Sequence, residues 1–71
     1  MEIVEIKTEY IKLDQLLKFA GLAETGGHAK VLIEEGLVFV NGEVCQMRGK
    51  KIRNGDKVKI EDNEIIIRNE K

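Results

Sequence analysis

The sequence predicts an α+β domain in which two short helices pack on a small, mostly antiparallel sheet of four to five strands. Three observations lead to this prediction. An apolar stripe at helical spacing begins at Leu13, Asn41-Gly42 separates two runs rich in β-branched residues, and residues 57–60 alternate between charged and apolar side chains. The chain has 71 residues and neither an internal repeat nor a linker. We therefore expect one domain over residues 1–71.

The first 21 residues predict a strand followed by a helix. Residues 2–7 are rich in β-branched side chains and partly alternate, which is typical of a strand. The next apolar residues recur at i, i+3, i+4 and i+7 and form one helical face, namely Leu13, Leu16, Leu17 and Ala20. Gly21 follows as a C-terminal stop signal.

A second helix is expected to begin after Thr25, which is a good N-cap residue, and to end at Gly36. Its predicted buried face comprises Ala29, Leu32 and Ile33. Gly26 and Gly27 occupy the first turn, where each glycine costs about 1 kcal/mol relative to alanine. Two explanations stay open. The glycines allow tight packing or a sharp turn between the helices, or they let a phosphate approach free backbone N–H groups beside His28 and Lys30.

The second half of the chain predicts strands. Asn41-Gly42 indicates a two-residue type I′ hairpin, because both central residues of that turn need positive φ. The register then pairs Val40 with Glu43 and Phe39 with Val44. After a loop over residues 46–51, a turn at residues 54–56 precedes a strand at 57–60. Asp62-Asn63 is a further turn signal, and residues 65–67 read as the last strand.

The net charge of −1, from 12 basic and 13 acidic residues, conceals an uneven distribution. Residues 1–24 and 61–71 each carry −2, whereas residues 25–60 carry +3 and residues 48–59 alone carry +5. Lys57 and Lys59 alternate with apolar residues, so we assign them to the solvent face of a strand. The other four cations lie in a glycine-containing loop and favour a polyanion ligand, namely Arg48, Lys50, Lys51 and Arg53.

Several function classes are disfavoured by composition. A single cysteine, Cys45, gives neither an internal disulfide nor a zinc cage, and it suggests a reducing compartment, the cytoplasm. The longest apolar run has four residues, so we expect no membrane segment. No residue set supplies acid, base and nucleophile together, and we expect no enzyme, cofactor, metal or small-molecule substrate. Only three aromatic residues argue against stacking of successive bases.

Three segments together resemble the ribosomal S4-type RNA-binding domain. They are IKLDQLLK at 11–18, AKxLIxxGxVxVNG at 29–42 and GKKIxxGDxV at 49–58, so the resemblance covers roughly residues 11–60. The chain looks most similar to the small standalone bacterial members of that family, of the YaaA and YbcJ type. The resemblance implies the αL motif, in which two helices followed by a hairpin dock on structured RNA.

By resemblance, the RNA-facing surface combines the first helix, the start of the second helix and the nearby loops. This implies RNA contacts by Lys12, Gln15, Lys18, Thr25, Gly26, His28, Lys30 and Asn41, to which the charge pattern adds Arg48, Lys50, Lys51 and Arg53. Many family members carry Ser-Arg at the start of the second helix. This chain has Thr25-Gly26-Gly27 there and so lacks a guanidinium that would hold phosphate bidentately.

The sequence thus predicts non-enzymatic binding of structured RNA, ribosomal or transfer RNA, by a ribosome-associated cytoplasmic protein. A different class of function is a protein-interaction module that docks on a partner or self-associates through the hairpin. Binding of duplex DNA is a third alternative.

Overall fold

The computed structural model describes residues 2–69. Its elements in chain order are β1 (Glu2–Ile6), β2 (Tyr10–Lys12), α1 (Leu13–Phe19), α2 (Gly26–Glu34), β3 (Val38–Val40), β4 (Glu43–Val44), β5 (Lys51–Arg53), β6 (Lys57–Ile60) and β7 (Asn63–Asn69). The predicted α+β class is confirmed.

Five strands form the main sheet in the order β1-β7-β6-β3-β4. The sheet is mixed, since β1 runs parallel to β7 while the other three pairs are antiparallel. The two remaining strands, β2 and β5, form a separate antiparallel pair. Sequence patterns predicted neither β2 nor β5, because three residues are too few to show an alternation, and Lys51 and Arg53, which were expected in a loop, lie in β5.

The hydrophobic core lies between the two helices and one face of the main sheet, with β2 and β5 closing one side. Fully buried side chains come from both helices, from the main sheet and from β5, whereas Ile11 of β2 is partly buried. The largest fully buried side chains are Leu13, Leu16, Leu17, Ile33, Ile52, Ile67, Val38 and Val58. The helical faces predicted from spacing are therefore correct, although Ala20 and Leu32 are only partly buried at the edge of the core.

Both helices end as predicted, with a glycine in the left-handed conformation just past the last turn. At the end of α2, Gly36 has φ +77° and its N–H donates to the Ile33 carbonyl (3.1 Å), while the Leu37 N–H donates to the Leu32 carbonyl (3.2 Å). This pair of bonds is a Schellman motif, which satisfies carbonyls that the helix itself leaves free. Gly21 ends α1 with the equivalent pair of bonds.

The hairpin between β3 and β4 has the predicted turn and register. Asn41 and Gly42 have φ values of +52° and +87°, and Val40 pairs with Glu43 across the turn. The turn between β6 and β7 differs by one residue from the predicted Asp62-Asn63 turn. Because Ile60 pairs with Asn63, Glu61 and Asp62 form the turn, and Glu61 takes a φ of +52°.

Candidate nucleic-acid interface

The pairing of β2 with β5 places a group of cations on one surface. Lys12 lies opposite Lys51 and Tyr10 opposite Arg53, while Ile11 and Ile52 pair between them. Because neighbouring side chains in a strand point to opposite faces, the apolar pair turns to the core and the polar pairs turn to solvent. Ile52 is fully buried. Lys12, Lys51 and Arg53 therefore share one exposed surface with Tyr10.

Backbone hydrogen bonds fix the glycine-containing loop against the start of α1. The Leu13 N–H donates to the Lys50 carbonyl (2.9 Å), and the Asp14 N–H donates to the Arg48 carbonyl (3.1 Å). Lys12, the N-cap residue, makes no side-chain capping bond. The loop carbonyls thus satisfy N–H groups that the first turn of a helix leaves free. This arrangement holds Arg48 and Lys50 beside Lys12.

We call Lys12, Arg48, Lys50, Lys51 and Arg53 the basic face. The Tyr10 ring orders two of its members, since the Lys51 Nζ lies 4.9 Å and the Arg53 Cζ 5.8 Å from the ring centroid. Among residues 2–69, none of the five cations forms an ion pair with a carboxylate. Five exposed cations at short range, without internal partners, repel each other and favour a ligand that carries several anionic groups.

The polar side of α1 continues this surface. Gln15 and Lys18 are exposed and follow Lys12 at intervals of three residues, so they lie along one side of the helix. Phe19, at the last position of α1, is 65% exposed. The prediction that Lys12, Gln15 and Lys18 share a polar arc is consistent with this arrangement.

Two side chains, those of Thr25 and His28, accept backbone hydrogen bonds at the start of α2. The Thr25 Oγ1 accepts a hydrogen bond from the His28 N–H (3.0 Å), which confirms Thr25 as the N-cap. The His28 Nδ1 in turn accepts from the Glu24 N–H (3.2 Å), so the ring proton of a neutral His28 is placed on Nε2. Both side chains therefore have structural roles at the turn between the helices.

The two glycines of this turn are not required by packing. A Cβ atom at Gly26 would meet no other atom within 4 Å, and one at Gly27 would meet only the Thr25 Oγ1, at 3.8 Å. Neither glycine has a positive φ. The sequence left two explanations open for these glycines. The structure gives no support to tight packing or a sharp turn, and it shows the open space that the approach of a phosphate requires.

The Asn41 side chain links two turns of the fold. Its Nδ2 donates to the Asp56 Oδ1 (3.1 Å), and its Oδ1 accepts from the Lys57 N–H (2.9 Å). The Asp56 Oδ2 also accepts from the Arg53 N–H (2.8 Å). Asn41 thus connects the hairpin turn to the turn that follows β5.

With this geometry established, comparison with known proteins identifies the family. A model of the S4 domain matches residues 4–68. The chain belongs to the S4 domain family.

Two individual proteins support the same assignment over most of the chain. This S4 domain is 45% identical over 58 residues to a probable ribosome maturation protein, RlbA of Bacillus subtilis, and the match covers 82% of each chain. A solved structure, YbcJ from E. coli, is described as having an αL motif involved in RNA binding. It shares 32% identity with a TM-score of 0.74, over 96% of this chain and 87% of that one.

A third relative is a much longer protein, and only a small part of it matches this chain. An uncharacterized RNA pseudouridine synthase of Aquifex aeolicus is 37% identical over 59 residues, which is 80% of this chain but 19% of that protein. The family and the fold together show that this chain has the S4 type of RNA-binding fold with its αL motif.

All twelve candidate RNA-binding residues of this S4 domain are exposed, and the structure arranges them in three groups. The largest is the basic face, which Gln15 and Lys18 extend along α1. The second lies on the first two turns of α2, and the third is Asn41 alone in the hairpin turn. The members of the second group are Thr25, Gly26, His28 and Lys30.

Sequence reasoning missed Tyr10 and Phe19. Tyr10 gains its importance only because β2 pairs with β5, a contact between segments about 40 residues apart that no local pattern reveals. Phe19 directly follows the polar arc of α1, but its exposure became visible only in the folded chain. Lys57 and Lys59 are exposed and alternate with buried Val58 and Ile60, as predicted for a solvent face.

Residues 2–69 contain no group of three or more histidine, cysteine, aspartate or glutamate side chains able to hold a metal ion. Over the same residues, neither helix is long and apolar enough to cross a membrane.

Proposed function

We propose that this S4 domain is a non-enzymatic protein that binds structured RNA, ribosomal RNA in particular, through the basic face. The observation that carries the proposal is the convergence of five cations, held by backbone bonds to α1 and by the Tyr10 ring, with no carboxylate partner among residues 2–69. The Tyr10 ring restrains the side chains of Lys51 and Arg53 before they meet phosphates, which lowers the entropic cost of binding for these two residues, and the backbone bonds keep the loop that carries Arg48 and Lys50 in place.

The mode of binding follows from the shape of the surface. Folded RNA presents phosphates and 2′-hydroxyl groups across its shallow minor groove, and proteins recognise it mainly by shape. The basic face with Gln15 and Lys18 offers donors along two connected elements, β2–β5 and α1. About four to six neutralised phosphates would make the affinity fall steeply with salt.

The start of α2 supplies a second contact in this proposal. Gly26 and Gly27 leave the first turn open, so a phosphate can approach the helix N-terminus, where the helix dipole favours negative charge. Lys30 lies exposed on the next turn. Many members of the family carry an arginine at the position of Gly26 or Gly27, and the open helix start together with Lys30 would compensate for its absence.

Similarity supports the choice of ribosomal RNA. The relative with 45% identity is named a probable ribosome maturation protein, and we propose a ribosome-related role in the cytoplasm for this chain. The match to the pseudouridine synthase covers 19% of that protein, so the activity in its name gives no ground for an enzymatic role here.

Charge reversal on two different surfaces tests the proposal. Lys50→Glu/Lys51→Glu places two acids in the basic face, whereas Lys57→Glu/Lys59→Glu makes the same charge change on the outer sheet face. Titration of a fluorescently labelled ribosomal RNA fragment at two salt concentrations should show at least roughly tenfold weaker binding for the first variant. The slope of log affinity against log salt should become shallower by about 1.4 to 1.8 for two lost contacts.

The control variant, Lys57→Glu/Lys59→Glu, changes the net charge of the protein by the same amount. Its affinity should stay within about twofold of that of the unchanged protein. Equal loss in both variants would indicate charge-driven binding without a defined surface. No loss in the Lys50→Glu/Lys51→Glu variant would contradict the proposal. A transfer RNA and a DNA duplex, added as competitors, test the preference for ribosomal RNA.

One observation favours the alternative of a protein-interaction module. Ile3, Phe39 and Val44 lie on the outer face of the main sheet and are 52%, 37% and 51% exposed. A partner protein that stays bound after nuclease treatment, and is released by Phe39→Ser, would support this alternative.

A further inference from the structure

A groove runs along α1 between the helix and the connection from β1 to β2. It consists of two adjoining depressions of about 480 and 450 Å³ that share Thr8 and Ile11 as lining residues. Tyr10, Lys12 and Gln15 line one end, and Phe19 lines the other. We call this feature the α1 groove.

The Phe19 ring is the most unusual part of the groove. It is 65% exposed at the end of α1, although a phenylalanine ring in water forgoes a substantial gain from burial. Partly buried Ile11 and buried Ile6 form the floor beside it. A flat, apolar surface of this kind fits a flat, apolar ligand.

The charges around the α1 groove define what that ligand carries. Lys12 belongs both to the groove and to the basic face, so anionic groups are favoured at that end. Glu5 and Lys7 both line the Phe19 end, so that end carries one charge of each sign and has no net attraction for anions, and the Glu5 carboxylate can accept hydrogen bonds from the amino groups of a base. The complementary occupant has phosphates at one end and an uncharged flat ring at the other.

We propose that the α1 groove binds an unpaired nucleotide of RNA, with its base stacked on Phe19 and its phosphate directed to Lys12. This inference rests on the proposed function and adds to it a preference for RNA in which a base-paired stem adjoins an unpaired segment. The scarcity of aromatic residues disfavours a row of stacked bases, but one exposed ring in a groove whose other end contains Lys12 is sufficient for a single base.

Affinity measurements with two RNAs and three variants test the inference. One RNA is a stem that carries a loop of unpaired nucleotides, and the other is a duplex with the same stem. We expect Phe19→Ala to weaken binding of the stem-loop by roughly fivefold to hundredfold and to leave binding of the duplex unchanged, because stacking of one base is lost. Phe19→Leu keeps apolar contact but removes the ring, and should lose affinity in the same way.

Phe39→Ala removes an exposed ring from the outer sheet face and serves as the matched control.

A spectroscopic measurement locates the base directly. The chain has two phenylalanines, so replacement of both by 4-fluorophenylalanine gives two fluorine resonances, assigned with the Phe39→Ala variant. On addition of the stem-loop, the Phe19 resonance should shift because of the ring current of a stacked base. The Phe39 resonance should stay in place.

The outcomes separate this inference from the proposed function. If Phe19→Leu binds the stem-loop as tightly as the unchanged protein while Lys50→Glu/Lys51→Glu binds weakly, the base-stacking inference is wrong and RNA binding by the basic face stands. An unmoved Phe19 resonance at saturating stem-loop leads to the same conclusion. If Lys50→Glu/Lys51→Glu also binds normally, the proposed function itself is wrong.

Discussion

Asn41 shows at the scale of one residue how a family motif can have a structural basis. The resemblance places it at the RNA surface, yet its carboxamide already bonds to Asp56 and to the Lys57 N–H. An RNA contact by Asn41 remains a prediction, and it must be separated from the role of this side chain in joining two turns.

Two substitutions of Asn41 make that separation. Asn41→Gly keeps the positive φ and removes two hydrogen bonds, so it should lower the free energy of unfolding by about 1 to 2 kcal/mol. Asn41→Ala adds the cost of alanine at φ +52°, about another 1 kcal/mol. Urea unfolding followed by circular dichroism measures both. An Asn41→Gly protein that is as stable as the unchanged one would show that these bonds contribute nothing.

The glycines at the two ends of α2 predict opposite effects on stability. Gly36→Ala places a Cβ at φ +77° and should lower the free energy of unfolding by about 1 to 2 kcal/mol. Gly26→Ala enters open space in a helical conformation and should raise it by up to about 1 kcal/mol.

The same Gly26→Ala variant tests the α2 contact of the proposed function. If a phosphate approaches the first turn of α2, the added methyl group should weaken RNA binding although the protein is more stable. If Gly26→Ala raises stability and leaves RNA affinity unchanged, the start of α2 is not part of the binding surface, and the basic face alone would bind RNA.

At the scale of whole elements, the strength of local signals decided what the sequence could predict. Both helices, their stops and the Asn41-Gly42 hairpin follow from periodicity and turn chemistry within a few residues. The β2–β5 pair and the parallel pairing of β1 with β7 depend on contacts across 40 residues or more, so local patterns do not contain them. Four cations of the basic face were predicted from the charge pattern of residues 48–59, and Lys12 was predicted from the family resemblance. Their convergence, and the rings that accompany them, required the fold.

The β6–β7 turn contains a strained residue that offers a test of the observed register. Glu61 adopts a φ of +52° in the turn that joins Ile60 to Asn63. Glu61→Gly should raise the free energy of unfolding by up to about 1 kcal/mol, since the left-handed conformation costs glycine nothing. Glu64→Gly, within β7, should lower it by about 0.5 to 1 kcal/mol. Thermal unfolding of both variants decides the matter, and the reverse order would mean that the turn is centred elsewhere.

At the scale of the molecule, the fold resolves the contradiction between a net charge of −1 and an anionic ligand. Five cations gather on one surface while most acidic residues lie in the terminal segments, so the total charge opposes indiscriminate attraction to polyanions and leaves one region attractive. The overall charge of a small protein therefore says little about its ligand until its distribution in space is known.

The pairing of β1 with β7 joins the first strand of the fold to the last, and the stability of the domain therefore depends on β1. Ile6 is buried, and Val4 packs against the core beside it. A domain of this size has only about 4 to 10 kcal/mol of stability. Removal of residues 1–6 should cost at least about 2 kcal/mol and expose the edge of β7.

Circular dichroism and light scattering should then show a lower melting temperature and self-association. Ile3→Ser, which changes a residue on the outer face, should leave both nearly unchanged. A monomeric truncated protein with an unaltered melting temperature would contradict the importance of this strand.

The hydrogen bonds from Leu13 and Asp14 to the loop carbonyls have a consequence for dynamics. Each of these amide protons can exchange with solvent only when the loop that carries Arg48 and Lys50 moves away from α1. Their exchange rates therefore report how often the basic face comes apart in the free protein. If bound RNA holds that loop in place, the same two protons should exchange more slowly in the complex.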